Sequence, residues 1–245
     1  MTTHQVVSER EWLNARKALL ARERELTHLH DKIAEERRAL PWVKVEKDYF
    51  FEGPSGKVRF IDLFGPRSQL SVYHFMLAPD TDHLCEGCSF LADHIDAARQ
   101  HFEQADLAFA AISRAPITRI EQVRKRMGWH FTWVSSNANS FNYDYGVSFT
   151  DEQVKDKTCD YNYGTTPYNH QDLPGASIFA RDEAGNVFHT YSAYTRGAEQ
   201  LIGAFHWLDL APKGRNESGT MSWLKLHDEY DKAKSSCCAP HATAA

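Results

Sequence analysis

The segment Leu70–Leu77, LSVYHFML, constrains the fold more than any other stretch of the chain. A near-continuous apolar run of this length suits a strand buried on both faces of a sheet. Beyond it the chain alternates between helix and strand signals. Residues 88–104 read as a helix with Phe90, Leu91, Ile95, Ala98 and Phe102 toward a core. Leu107–Ser113, LAFAAIS, is a second apolar strand. Pro116 then sits where a helix begins, as its fixed φ favours, and Ile117, Ile120, Val123 and Met127 form the apolar stripe of that helix. Gly128 closes it, and Phe131–Val134 is a short third strand. Two strand–helix–strand units in succession imply an α/β domain with a parallel pairing and right-handed crossovers.

The flanks are less regular. Residues 42–64 alternate weakly around the turn Gly53-Pro54-Ser55-Gly56 and read as a hairpin of WVKVEKDYFFE and KVRFIDLF. Residues 137–172 are rich in Asn, Tyr, Asp and Gly and are expected to form long ordered loops lining a cleft. A second hairpin is expected over Ala176–Arg181 and Val187–Tyr194, around Asp182-Glu183-Ala184-Gly185. A final helix, Ala198–Leu210, would turn Leu201, Ile202, Phe205 and Leu208 inward. At the other end, residues 8–40 read as one long helix, with Trp12, Leu19, Leu26, Ile33 and Leu40 every seven residues and Pro41 ending the run. The stripe is narrow, because Arg16, Glu23, His30 and Arg37 hold the complementary positions. Such a helix either docks on its own domain or faces a second copy in a homodimer. The expected organisation is a helical extension over 1–41, the α/β domain over 42–212 and a polar, disordered tail over 213–245.

Charge and composition exclude several classes. Net charge is −5 with both signs interspersed, so no basic surface for nucleic acid is expected. No apolar stretch is long enough to span a bilayer, and the polar segment Met1–Arg10 has no apolar signal region. The five cysteines are an odd number, which argues against a framework of structural disulfides and for a reducing, cytoplasmic setting.

Cys85-Glu86-Gly87-Cys88 stands between the buried strand and its helix. Two intervening residues let both sulfurs sit in the first helical turn, the first of them facing free N–H groups and the positive end of the macrodipole. That environment lowers a thiol pKa and makes Cys85 the nucleophile, with Cys88 close enough to resolve a mixed disulfide. Glu86 works the other way by like-charge repulsion, so a reducing or weakly reactive pair is expected. Half of a zinc site and a pair of inert buried thiols are the other readings of the same residues.

The segment Gly53–Tyr194 resembles the thioredoxin superfamily, above all its peroxiredoxin and membrane-anchored reductase branches. The resemblance is carried by Gly56-Lys57-Val58-Arg59-Phe60-Ile61-Asp62-Leu63 before the buried strand, by Ala111-Ile112-Ser113 and the helix Pro116–Gly128 after it, by Phe131-Thr132-Trp133-Val134-Ser135, and by Tyr145-Gly146-Val147. More closely, residues 5 to about 215 are similar to a bacterial family of thioredoxin-like proteins labelled dithiol-disulfide oxidoreductases. Its motifs stand here as Leu40-Pro41-Trp42, Tyr73-His74-Phe75-Met76, Cys85-x-x-Cys88-Ser89-Phe90, Ser113-Arg114-Ala115-Pro116, Arg126-Met127-Gly128-Trp129, Phe141-Asn142-Tyr143-Asp144, Val187-Phe188-His189-Thr190-Tyr191 and Asp209-x-x-Pro212-Lys213-Gly214-Arg215. The resemblance implies a thioredoxin-like fold, a central mixed sheet flanked by helices with the N-terminal helical extension added. It implies thiol–disulfide chemistry on a protein or small-molecule substrate, with no cofactor. It also places Pro174, in Leu173-Pro174-Gly175, where the superfamily has a cis-proline opposite the cysteine pair.

The peroxiredoxin motif Pro-x-x-x-Thr/Ser-x-x-Cys is not met, because Pro79-Asp80-Thr81 stands at the wrong spacing from Cys85. Arg114 and Arg126 are the arginines that would assist a peroxide. His74, in the buried strand, and His189, in the late hairpin, are expected to approach the cysteine helix. Copper-carrying relatives imply an alternative soft metal site of Cys85, Cys88 and His189, for copper or zinc. Tyr143, Tyr145, Tyr161 and Tyr163 are candidates for lining a substrate pocket, which would also serve a binding module without turnover. Cys159 is a plain loop thiol by default, and Cys237-Cys238 with His241 belongs to the tail.

Overall fold

In the computed structural model, which describes residues 4–230, Leu70–Leu77 supplies the centre of an eight-stranded mixed sheet. The strands are β1 (Val43–Lys44), β2 (Phe50–Gly53), β3 (Gly56–Arg59), β4 (Gln69–His74), β5 (Leu107–Ser113), β6 (Thr132–Ser135), β7 (Gly175–Arg181) and β8 (Val187–Tyr194). The helices are α1 (Glu9–Arg38), α2 (Glu86–Ala92), α3 (Ile95–Phe102), α4 (Ile117–Met127), α5 (Phe141–Asp144), α6 (Asp151–Asp156) and α7 (Gly203–Leu210). Strand order is β1-β8-β7-β4-β5-β6-β2-β3. β4, β5 and β6 run parallel, joined by helical crossovers, and β7 is antiparallel to β4 and to β8. This is a thioredoxin-like arrangement, a mixed sheet covered by helices, as the sequence leads one to expect.

Alternation along β4 divides the core in two. Tyr73, with Phe75 beyond the strand, faces a cluster that includes Cys88, Leu91, Ile120, Trp133 and Phe205. Leu70 and Val72 face a second cluster with Phe51, Phe60, Phe141 and Phe179. Both faces are covered, which is why the run reads as continuous rather than alternating.

Several elements differ from their sequence reading. The helix expected over 88–104 is two helices, α2 and α3, bent at Asp93–His94. Both side chains at the bend are tied to distant elements. The Ala204 N–H donates to His94 Nε2 at 3.1 Å, so Nδ1 carries the proton and donates to the Phe90 carbonyl at 2.7 Å. Asp93 accepts from Trp129 Nε1 at 2.8 Å. The apolar spacing runs through the bend unchanged, so the sequence does not register it. The hairpin expected over 42–64 is confined to β2 and β3. Phe60–Phe64 winds into a 3-10 helix that buries Phe60, Leu63 and Phe64, while β1 pairs with β8 at the opposite edge of the sheet. The last helix begins only at Gly203, after a 3-10 segment Thr195–Leu201. Ile202 and Phe205 are buried as expected, but Leu201 is 45% exposed, because the 3-10 winding rotates it off the buried side.

Residues 213–230, expected as the start of a disordered tail, are ordered against the domain. Leu226 is buried, and Met221 and Trp223 pack on the cysteine-side cluster. Trp223 Nε1 donates to the Arg215 carbonyl at 2.9 Å. Three apolar side chains dispersed among polar ones leave no periodic signal, but they suffice to anchor a short stretch once a surface exists to receive them. Cys237, Cys238 and His241 lie outside the described residues.

The chain divides into two compact units, the first ending at Trp42 and the second beginning at Val43. The first is essentially α1. Its start is set by a capping box in which the Glu11 N–H donates to Ser8 Oγ at 3.3 Å and the Ser8 N–H donates to the Glu11 carboxylate at 3.0 Å. No residue of α1 is buried, and Trp12, Leu19 and Leu26 are more than half exposed.

Gly175 opens β7 where the backbone passes closest to Tyr194. A Cβ there would lie 2.7 and 2.9 Å from Tyr194 ring carbons and 3.1 Å from Val147. Tyr194 cannot swing away cheaply, since its hydroxyl donates to the Tyr145 carbonyl at 2.9 Å. Gly175→Ala is therefore expected to cost about 1–3 kcal/mol through overpacking, read as a lower urea midpoint at unchanged slope.

Candidate active site

Cys85 is the N-cap of α2, in extended conformation, and its sulfur accepts the Cys88 N–H at 3.3 Å. The turn is fixed from behind by Ser89, whose N–H and Oγ both reach the Cys85 carbonyl, at 3.0 and 2.9 Å. Cys85 is half-buried and Cys88 fully buried, and both are free thiols. The two sulfurs ionise in opposite directions. Cys85 is lowered to about 7, first by the hydrogen bond from the Cys88 thiol, then against burial by the N–H groups of Cys88 and Gly87. Glu86 does push it up, as the sequence suggests, but as the smallest of the named causes. The repulsion expected from Glu86 is therefore present but outweighed by the thiol and amide donors pointed at Cys85. Burial, with the neighbouring Cys85, holds Cys88 well above the ordinary thiol range. The Tyr73 hydroxyl and the Met76 N–H donate to the Cys88 sulfur and partly offset this.

These ionisations make a pH prediction. Alkylation of Cys85 by iodoacetamide is expected to rise with a midpoint near pH 7, against about 8.5 for free cysteine, while Cys88 stays unmodified up to higher pH. Peptide mapping across a pH series checks it, and a Cys85 midpoint at about 8.5 or above would refute the geometry.

Cys85 opens onto a cavity of about 250 Å³ whose walls include Tyr73, Leu91, Tyr161, Pro174, Ile202 and Met221. Pro174 thus lies where it is expected, facing the pair, but not in the expected isomer. The described residues contain no cis peptide bond, so Leu173–Pro174 is trans. Its carbonyl accepts the Tyr161 hydroxyl, and that hydroxyl in turn accepts the Thr195 N–H at 3.3 Å. Tyr161 is fully buried and belongs to this wall.

The other candidates are elsewhere. His74 follows Tyr73 in β4 and so points to the opposite face of the sheet. Its Nε2 is 2.8 Å from Ser177 Oγ, which is 2.8 Å from Ser192 Oγ, which is 2.7 Å from His189 Nε2. The two histidines are joined to each other through two serines rather than to the cysteines. Burial pushes His74 down to about 3 and also lowers His189, so both are neutral at pH 7. The metal set of Cys85, Cys88 and His189 is corrected by the same geometry, and among the described residues no three His, Cys, Asp or Glu side chains gather as a metal site.

His189 lines a second cleft of about 450 Å³ together with Tyr145, Tyr163, Lys47 and Asp144. The tyrosines of the 137–172 region therefore divide: Tyr161 faces the cysteines, while Tyr145 and Tyr163 face the second cleft. Tyr143 lines neither of these two cavities and instead accepts from Arg114 at 2.7 Å. Arg114 is also held bidentate by Asp172 at 2.7 and 2.8 Å, and Arg126 by Asp228 at 2.8 and 3.0 Å, so both arginines suggested for peroxide are committed to ion pairs. Cys159 packs against the small cluster of Val147, Phe149 and Leu173. The sequence reading omits Tyr73, Tyr168, Thr195, Glu199 and Met221 from the cysteine cavity. Only Tyr73 carries a usable signal, a polar-tipped ring in an otherwise apolar strand.

Comparison with curated proteins gives no match. Among solved structures, the chain is similar to the peroxidoxin BcpB of Mycobacterium tuberculosis, at 12% identity and a TM-score of 0.45 over 69% of this chain and 97% of that one. It is similar to a peroxiredoxin Q mutant from Xanthomonas campestris, at 14% identity and a TM-score of 0.43 over 66% and 90%. It is also similar to a putative thiol:disulfide interchange protein DsbE from Chlorobium tepidum, at 14% identity and a TM-score of 0.38 over 67% and 97%. Among the described residues no helix is long and apolar enough to cross a membrane. Residues 1–230 match one sequence family throughout, and the chain belongs to it: the bacterial proteins of unknown function DUF899.

Proposed function

We propose that the protein is a thiol–disulfide oxidoreductase in which Cys85 attacks and Cys88 resolves. The observation that carries this reading is the geometry of the pair: a half-buried Cys85 caps the helix with its sulfur on the Cys88 N–H, a buried Cys88 stands one turn on, and both line one cavity. In the first step the Cys85 thiolate attacks one sulfur of a substrate disulfide. The substrate S–S bond breaks, a Cys85 mixed disulfide forms, and the first substrate thiolate leaves and takes a proton. Cys88 then loses its proton to solvent and attacks the Cys85 sulfur. The second substrate thiolate departs, and the protein holds a Cys85–Cys88 disulfide. The dithiol has been oxidised by two electrons and the substrate reduced by two.

The first step favours the second. Two causes that hold Cys88 up, the hydrogen bond with Cys85 and the charge on Cys85, vanish once Cys85 is in a mixed disulfide. The stabilising donors, the Tyr73 hydroxyl and the Met76 N–H, remain. Burial, the largest cause, stays, but the resolving thiol ionises more readily after a substrate has been captured than before.

The test uses the full chain with Cys159→Ser, Cys237→Ser and Cys238→Ser, reduced and mixed with 2-hydroxyethyl disulfide. Two thiols released per chain, with a Cys85–Cys88 disulfide found by mass spectrometry, is the expected result. No release, or a mixed disulfide at Cys85 that persists, refutes the proposal. A dithiol of this kind is kept reduced by the thiol pool of the cytoplasm, which is the proposed location. Trp12, Leu19 and Leu26 are the surface α1 would present to a second copy in a homodimer. A second reading, ligand binding without turnover, attaches to the cleft at His189, whose size suits a small molecule.

A further inference from the structure

We infer that the Cys85 site takes a small, uncharged, largely apolar disulfide rather than one on the surface of another protein; this rests on the thiol–disulfide reading above and specifies its substrate. A protein disulfide brings main chain on both sides of the sulfur pair and needs an open groove across the attacking cysteine. Here two distant parts of the chain close in on the space at Cys85. Pro174 and Tyr161, locked together by the hydroxyl-to-carbonyl bond, form one part of the wall. The stretch 213–230 forms another, with Met221 against the Cys-x-x-Cys turn. Met221 Sδ lies 3.5 Å from where a Cβ on Gly87 would be, and that same position is 3.9 Å from the Cys85 sulfur. Trp223 anchors this stretch on Phe90 of α2, with ring centres 5.8 Å apart. The space left, about 250 Å³, lies at the small end for ligand sites.

The charge on the walls points the same way. Glu199 and Arg196 are the charged lining residues besides the cysteines, and they pair with each other at 3.3 Å. Glu199 is also held by Arg215 at 3.1 Å. Glu199 is thus neutralised twice over, and Arg196, 84% exposed, holds its charge out in solvent, so the part of the wall beside the sulfurs is apolar or neutral.

Two wall residues are also held in backbone conformations that disfavour side chains. Thr195 has φ 47° and Met221 has φ 57°. For a β-branched threonine this is a true outlier. Each is fixed by its own N–H, Thr195 on the Tyr161 hydroxyl and Met221 on the Glu217 carboxylate at 3.0 Å. Costly conformations kept at the rim of a reactive cavity mark a wall whose shape serves the site.

The test measures oxidation of the reduced full chain by 2-hydroxyethyl disulfide, oxidised glutathione and insulin. Each rate is divided by that of free 2-mercaptoethanol with the same disulfide, which removes intrinsic reactivity. The small neutral disulfide is expected to exceed the other two by about tenfold or more. Met221→Ala is expected to raise the insulin-to-small ratio by about tenfold, and Met221→Leu, which refills the wall, to restore the original ratio. Equal normalised rates for the three disulfides, or a ratio unmoved in Met221→Ala, overturns the inference while leaving the oxidoreductase reading intact. Failure of Cys85 to react with any of them overturns both.

Discussion

Cys85→Ser is expected to reduce disulfide exchange by on the order of a thousandfold or more, because a serine hydroxyl stays protonated at neutral pH and cannot become the attacking anion. Cys88→Ser separates the two steps. Its serine keeps the Cys85 geometry nearly unchanged, since the backbone N–H at that position still donates to the Cys85 sulfur and a hydroxyl replaces the thiol donor. Attack continues, resolution does not, and the Cys85 mixed disulfide accumulates to one per chain. Intact-mass measurement after mixing with 2-hydroxyethyl disulfide reads both variants at once. Exchange that survives in Cys85→Ser would move the chemistry to another thiol and sink the assignment.

The second large effect lies far from the cysteines. Phe141→Ala is expected to destabilise the protein by about 3–5 kcal/mol, the range for emptying a buried aromatic site. Phe141 is fully buried, and its ring meets Tyr49, Phe51 and Phe60 at 5.0, 5.1 and 5.2 Å in edge-to-face contacts. It also lies 5.7 Å from His74. The helix that carries it, α5, is four residues long and could not stand alone. The ring holds that helix in place, so the loss is expected to include local opening around Tyr143–Tyr145. Urea unfolding with hydrogen exchange on this segment checks both parts. A change below about 1 kcal/mol would mean the 137–172 region is not part of the core.

Phe141 also shows why this region is hard to read in sequence. It is one apolar residue among Asn, Ser and Tyr, and its one packed neighbour at helical spacing, Tyr145 at 4.6 Å, is too short a pattern to register as a stripe. Its other partners come from β2, the 3-10 turn and β7, which are distant in the chain. Met221 and Leu226 are the same case at the other end. Where apolar residues repeat, in β4, β5, α4 and the β7–β8 hairpin, the sequence reading and the structure agree to within a few residues. The bend at Asp93–His94 escapes because its cause, His94 reaching Ala204, is a tertiary contact laid over an unbroken local pattern.

Local periodicity and spacing were enough to specify the strand–helix–strand frame and the place of Cys85 and Cys88 at the start of a helix. Which side of β4 each neighbour serves is also local: period two sends Tyr73 and His74 to opposite faces. Packing alone settled who meets whom across the sheet and over its edge. Tyr73 reaches the Cys88 sulfur, His189 joins His74 through two serines, Leu173–Pro174 stays trans, and residues 213–230 return to wall the reactive cavity. Those outcomes depend on segments far apart in the chain coming together, and dispersed single side chains leave no periodic trace of it.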